Sequence, residues 1–145
     1  MFKKILVPVD GSETAWRALE YAAALGNKFE SKLLVVNVVQ NYNNISVLAV
    51  PLDAATVIES NNELRRIGEH VLKTATSKLT DFQGKIAYKL EEGHPSETIL
   101  NIANETECDC IVIGSRGLSG IKEFFLGSVS SKVSQYAKIP VLIVK

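Results

Sequence analysis

Short, β-branched apolar runs alternating with segments of helical period constrain this chain more than any other feature. The runs are KILVPV (4–9), KLLVVNVV (32–39), CIVIG (110–114) and VLIV (141–144). Nearly continuous apolar runs of this length belong to strands buried on both faces, the habit of a parallel sheet sandwiched between helices. KIAYKL (85–90) instead alternates apolar with polar residues and predicts an edge or half-exposed strand.

The intervening segments are helical. Ala15, Leu19, Ala22, Ala23 and Gly26 keep a 3.6-residue period behind Ser12, a residue type that caps helix N-termini. A second, longer helix begins after Pro51 and is marked by Leu64, Ile67, Val71, Ala75 and Leu79. Pro95 and Glu97 open a third, with Ile99, Ile102, Ala103 and Thr106 on one face. A fourth, capped by Ser128, turns Val129, Val133 and Ala137 inward and stops before Pro140. Trp16 and Tyr21 read as packing residues, and His70 and His94 as exposed or capping ones, the loop holding His94 lying away from the crevice.

Strand and helix alternating through five strands means right-handed βαβ units with helices on both faces. The expected fold is a single doubly wound, Rossmann-like α/β domain over residues 1–145, with parallel strand order 3-2-1-4-5. Ligands of such sheets bind at the carboxyl ends of the strands where the order reverses, between the first and fourth strands. That rule selects two loops, at residues 10–12 and 114–128.

Composition narrows the partners. With 145 residues the chain can bury one core without metals or disulfides. Its 16 Lys and Arg balance 16 Asp and Glu, and no basic run occurs, which argues against wholesale nucleic-acid binding. No apolar run approaches the roughly 18 residues of a membrane span, and no leader pattern opens the chain, so no membrane partner and a cytoplasmic location are expected. Cys108 and Cys110 stand one residue apart, too close for an unstrained bridge and without the two-residue gap of a zinc or redox pair. They read as buried, inert thiols, on one face if their segment is a strand.

Both selected loops carry chemistry. The first reads Pro8, Val9, Asp10, Gly11, Ser12: a carboxylate at a strand tip, then a hydroxyl at a helix start. The second reads GSRGLSGIKEFFLGSVSS, with glycines at 114, 117, 120 and 127. Glycine lets the backbone approach a bulky anion, and a helix N-terminus offers free amides with a favourable dipole. The pattern is a phosphate cradle, with Arg116 between two of its glycines. It is neither a Walker A loop nor the dinucleotide GxGxxG. Asp10 suits both a turn or capping role and an acceptor for ribose hydroxyls.

The spacing Gly114, two residues, Gly117, nine residues, Gly127, Ser128 resembles the signature of the ATP-binding subgroup of the universal stress protein (UspA-like) family, whose fold is HUP-type. KKILVPVDGSE, DCIVIGSRG, LGSVSSKV and KIPVLIVK extend the likeness over the whole chain. The resemblance implies an ATP site in which Pro8, Asp10 and Val38 surround adenine and ribose. Ile113 and Gly114 would line the nucleoside side, and Gly117, Gly127, Ser128 and Val129 would hold the phosphates. AMP and ADP are alternative ligands. Mg²⁺ or Mn²⁺ would accompany ATP, with Asp10 and Ser128 the nameable ligands. The family also implies a homodimer, which the bare apolar edge 141–145 would serve, and a stress-linked regulator read by an unknown protein partner. No Asp, Glu or His in the cradle is placed to activate water, so efficient hydrolysis is not expected. Slow ATPase or phosphoryl or adenylyl transfer stands as the enzymatic alternative, and a scaffold with a vestigial site as the other. Residues 40–56 form a long connection that is equally a plain loop or a lid over the adenine.

Overall fold

The computed structural model describes residues 1–41, 53–118 and 126–145. Their elements run β1 (Lys4–Pro8), α1 (Glu13–Phe29), β2 (Lys32–Val39), α2 (Ala54–Lys78), β3 (Ile86–Glu92), α3 (Pro95–Glu105), β4 (Cys110–Gly114), α4 (Ser128–Tyr136) and β5 (Val141–Val144). The five strands are all parallel, in the order β3-β2-β1-β4-β5. This is the expected doubly wound sheet, reversing between β1 and β4.

Each strand of the centre feeds two cores, because side chains alternate faces with period two. Ile5, Val7, Leu33, Val35, Cys110 and Val112 pack with Ala15, Ala18, Leu19 and Ala22 of α1 and Val71 and Ala75 of α2. Leu6, Leu34, Val36, Ile111 and Ile113 pack on the other face with Ile99, Ile102 and Ala103 of α3 and Val133 of α4. Ile5 and Leu6 are both 0 % exposed, and burying each contributes roughly 1.5–3 kcal/mol. β3 is half-exposed along its length, as its alternation predicts.

Four expectations are corrected by the packing. Ile67 is 51 % exposed, because α2 approaches β2 at Gly68, and a helix advancing about 100° per residue then turns the preceding side chain to solvent. Tyr21 is 58 % exposed rather than packed, whereas Trp16 lies against the core with Lys78 Nζ 5.5 Å from its ring centroid. The two thiols sit in opposite cores, Cys108 with α3 and Cys110 with α1, because β4 begins only at Cys110 and the alternation does not reach back to Cys108. The N-cap of α4 is Gly127, not Ser128, which is the first helical residue. The Gly127 amide is held by the Ser115 carbonyl at 2.7 Å, which fixes where that helix starts. The suggested lid at 40–56 falls largely outside the described residues, and α2 begins at Ala54 behind Asp53, whose side chain accepts from the Thr56 amide.

Candidate functional site

At the β1–β4 reversal the carboxyl ends of the strands open into a pocket of about 270 Å³. All ten residues singled out from the sequence line it: Pro8, Asp10, Val38, Ile113, Gly114, Arg116, Gly117, Gly127, Ser128 and Val129. Val9, Ala15, Val36, Pro95, Ile99, Leu118 and Ser130 complete the lining. Pro95 and Ile99 overturn the expectation that the loop after β3 lies away from the crevice. A right-handed crossover from β3 to β4 must pass over β2 and β1, so α3 is carried across the site. That topological signal was available from the strand order. His94 itself is exposed at the N-cap position of α3 and makes no cap; its Nδ1 lies 3.2 Å from Ser96 Oγ.

The pocket has two chemically different ends. Val36, Val38, Ile99, Ile113 and Pro95 form an apolar slot on the α3 side, suited to a flat ring. Asp10, Arg116, the glycines and the start of α4 form a polar end.

At that polar end the backbone is tightly held. Ser12 caps α1 by accepting from the Ala15 amide at 3.3 Å, and its own amide donates to Asp10 Oδ1 at 2.9 Å. One carboxylate oxygen of Asp10 is therefore engaged within the β1–α1 turn, and Oδ2 faces Gly117, standing 2.9 Å from where a Cβ there would lie. Gly114 has a different duty: a Cβ would stand 2.7 Å from the Thr14 carbonyl carbon and 2.8 Å from the Ala15 nitrogen, so glycine here admits α1 against β4. Across the pocket, Ser130 Oγ donates to the Ser115 carbonyl at 2.8 Å, pinning the first turn of α4.

The N-terminus of α4 is uncapped by any side chain, since Gly127 has none to offer. The first amides of a helix lack intrahelical acceptors, and among the described residues nothing else claims those of Ser128, Val129 and Ser130. Their N–H groups and the helix dipole favour a negative group at this point. Arg116, exposed and without an ion pair among the described residues, adds a positive charge. No group of three or more metal-binding side chains occurs among the described residues, and no described helix is long and apolar enough to cross a membrane.

The same fold recurs in known proteins. The family model for the universal stress protein family matches residues 1–145. The chain belongs to the universal stress protein family. Universal stress protein YxiE of Bacillus subtilis is 37 % identical over 150 residues, spanning 100 % of both chains. The solved structure of MJ0577 of Methanocaldococcus jannaschii superposes with a TM-score of 0.85 at 32 % identity, covering 100 % of this chain and 96 % of that one. A universal stress protein solved in complex with cAMP superposes with a TM-score of 0.73 at 26 % identity, covering 99 % and 97 %. Family membership accounts for the sheet order. Which ligand this member takes is a matter of the residues that line the crevice.

Proposed function

We propose that this family member is an ATP-binding regulator whose nucleotide-occupied state is read by a protein partner. The observation that carries the reading is the joining of an apolar slot to an amide-rich, positively charged end within one pocket. Adenine occupies the slot beside Val38 and Ile113, ribose meets Asp10, and the phosphates rest on Gly117 and the amides at the start of α4. The cAMP complex of a relative supports adenine-nucleotide chemistry in this fold. AMP and ADP would share the base and ribose contacts and lose part of the phosphate ones.

Mg²⁺ or Mn²⁺ fits as a companion of the phosphates. Asp10 Oδ2 and the Ser128 hydroxyl are the oxygen donors here, and such hard ions commonly take one or two carboxylates with phosphate and water completing the shell. Asp10 is the one acid among the described lining residues, and its Oδ1 is already engaged, which favours a binding module over an efficient hydrolase. The outer strand β5, with Leu142 39 % exposed, is the proposed homodimer edge through residues 141–145. A cytoplasmic location fits this reading.

Calorimetric titration of ATP and AMP with Mg²⁺ tests it, using nucleotide-stripped wild type and Gly117→Val. Micromolar ATP binding that the variant loses is expected. Absence of binding by folded wild type would refute the reading.

A further inference from the structure

We infer that Thr14, which lies outside the glycine pattern and does not line the pocket, is a positioning residue that aims the phosphate-binding backbone at Arg116–Gly117. The inference rests on the nucleotide reading above and assigns one further residue to it. Thr14 Oγ1 donates to the Arg116 carbonyl at 2.7 Å and accepts from the Arg116 amide at 3.4 Å, so one hydroxyl grips both backbone groups of that residue. Ser12 Oγ reaches the same carbonyl at 3.3 Å as a weaker second donor.

The grip has a directional effect. In a trans peptide the C=O and N–H point opposite ways, and no cis bond occurs in the described chain. Holding the Arg116 carbonyl on α1 therefore turns the Gly117 N–H away from α1. Gly127 adjoins this peptide, its Cβ position lying 3.3 Å from Arg116 Cα and 3.6 Å from the Gly117 nitrogen, and in a trans peptide the N–H lies on the side of the preceding Cα. The Gly117 N–H thus joins the open amides of α4, and among the described residues it takes no acceptor of its own.

Gly114 makes the contact sterically possible, since a Cβ there would stand 2.7 Å from Thr14 Oγ1. A turn bounded by two glycines has much backbone freedom to lose when it clasps an anion. Fixing its middle residue beforehand removes part of that cost, which is how preorganisation strengthens binding.

The test compares ATP with adenosine, both with Mg²⁺, on stripped wild type, Thr14→Val and Thr14→Ser, with thermal melts run alongside. Valine keeps the shape and loses the hydroxyl; serine keeps the hydroxyl. Thr14→Val is expected to weaken ATP by roughly three- to tenfold, the worth of about one hydrogen bond, while adenosine binds as in wild type. Thr14→Ser is expected to retain the wild-type ratio of the two affinities. An unchanged ratio in Thr14→Val, equal loss for both ligands, or loss in Thr14→Ser matching that in Thr14→Val overturns the assignment to Thr14 alone. A folded wild type that binds no ATP overturns the nucleotide reading and this inference with it. Amide exchange in the wild type adds a check that needs no variant. ATP, but not adenosine, should slow exchange at Gly117, and an unchanged rate with ATP bound would count against the directed N–H.

Discussion

Replacing Gly114 by alanine separates the packing role of this glycine from any ligand role. The added Cβ would lie 2.7 Å from the Thr14 carbonyl carbon, 2.7 Å from Thr14 Oγ1 and 2.8 Å from the Ala15 nitrogen. Ordinary carbon contacts are about 3.5 Å or longer, so α1 must retreat from β4 by on the order of half an ångström or more. Two of the three obstructing atoms are backbone, in a first turn held by the Ser12 cap, so no side-chain rotation relieves the clash. Overpacking of this kind costs about 1–3 kcal/mol. Gly114 does not lie in the left-handed region, so alanine incurs no backbone strain and recovers about 0.4–1 kcal/mol from the unfolded chain. A net loss of about 1–2 kcal/mol is expected, which at about 2–4 °C per kcal/mol lowers Tm by roughly 2–8 °C. Urea denaturation and calorimetry on ligand-free protein measure it. Gly117→Ala is the control, since among the described residues its Cβ meets only the tip of the Asp10 side chain at 2.9 Å, and its stability should change by less than about 0.5 kcal/mol. A Gly114→Ala protein as stable as wild type, or a control equally destabilised, would refute the reasoning.

Three further outcomes are expected. Ser12→Ala removes the α1 cap to the Ala15 amide and should cost about 1 kcal/mol in urea titration; an unchanged midpoint would show the cap to be idle. Asn37, 7 % exposed, donates from Nδ2 to the Val9 carbonyl at 2.8 Å beyond the end of β1. Asn37→Leu leaves that buried carbonyl unpartnered and should destabilise by about 1–3 kcal/mol, a prediction that a neutral ΔΔG would end. Burial, followed by the charges of Asp109 and Cys108, pushes the Cys110 thiol up to about 11, and burial likewise raises Cys108. The unfolded chain then ionises these thiols first and binds fewer protons than the native state, so their contribution is intact below the ordinary thiol value of 9.0 and is lost as pH rises toward 11. Native protein should resist a thiol reagent at pH 8 and react fully in urea, and rapid native labelling would contradict the burial.

Much of the site was legible because its residues sit at strand ends and at glycines, which local pattern marks directly. Asp10 follows the β1 run, Gly114 closes the β4 run, and Gly127 precedes the amphipathic α4 segment. Pro95 and Ile99 were not marked in this way, because only the crossover of α3 over β2 and β1 brings them to the crevice. The placing of Cys108 and Cys110 on one face failed for a local reason: starting β4 at Cys110 removes the period-two relation on which it depended. The Ser128 cap moved to Gly127 because a distant carbonyl, that of Ser115, holds the Gly127 amide.

Element type, element order and the parallel sheet were decided by the sequence alone, since burial on two faces and helical period are written into neighbouring residues. What each glycine is for was decided by tertiary structure. Gly114 and Gly117 look alike in the chain, yet one admits a helix backbone and the other faces a carboxylate in an open pocket. The contact between Thr14 and Arg116 spans 102 positions. It exists only because α1 docks on β4, and the distance between two docked elements is a property of the packed core that no local pattern encodes.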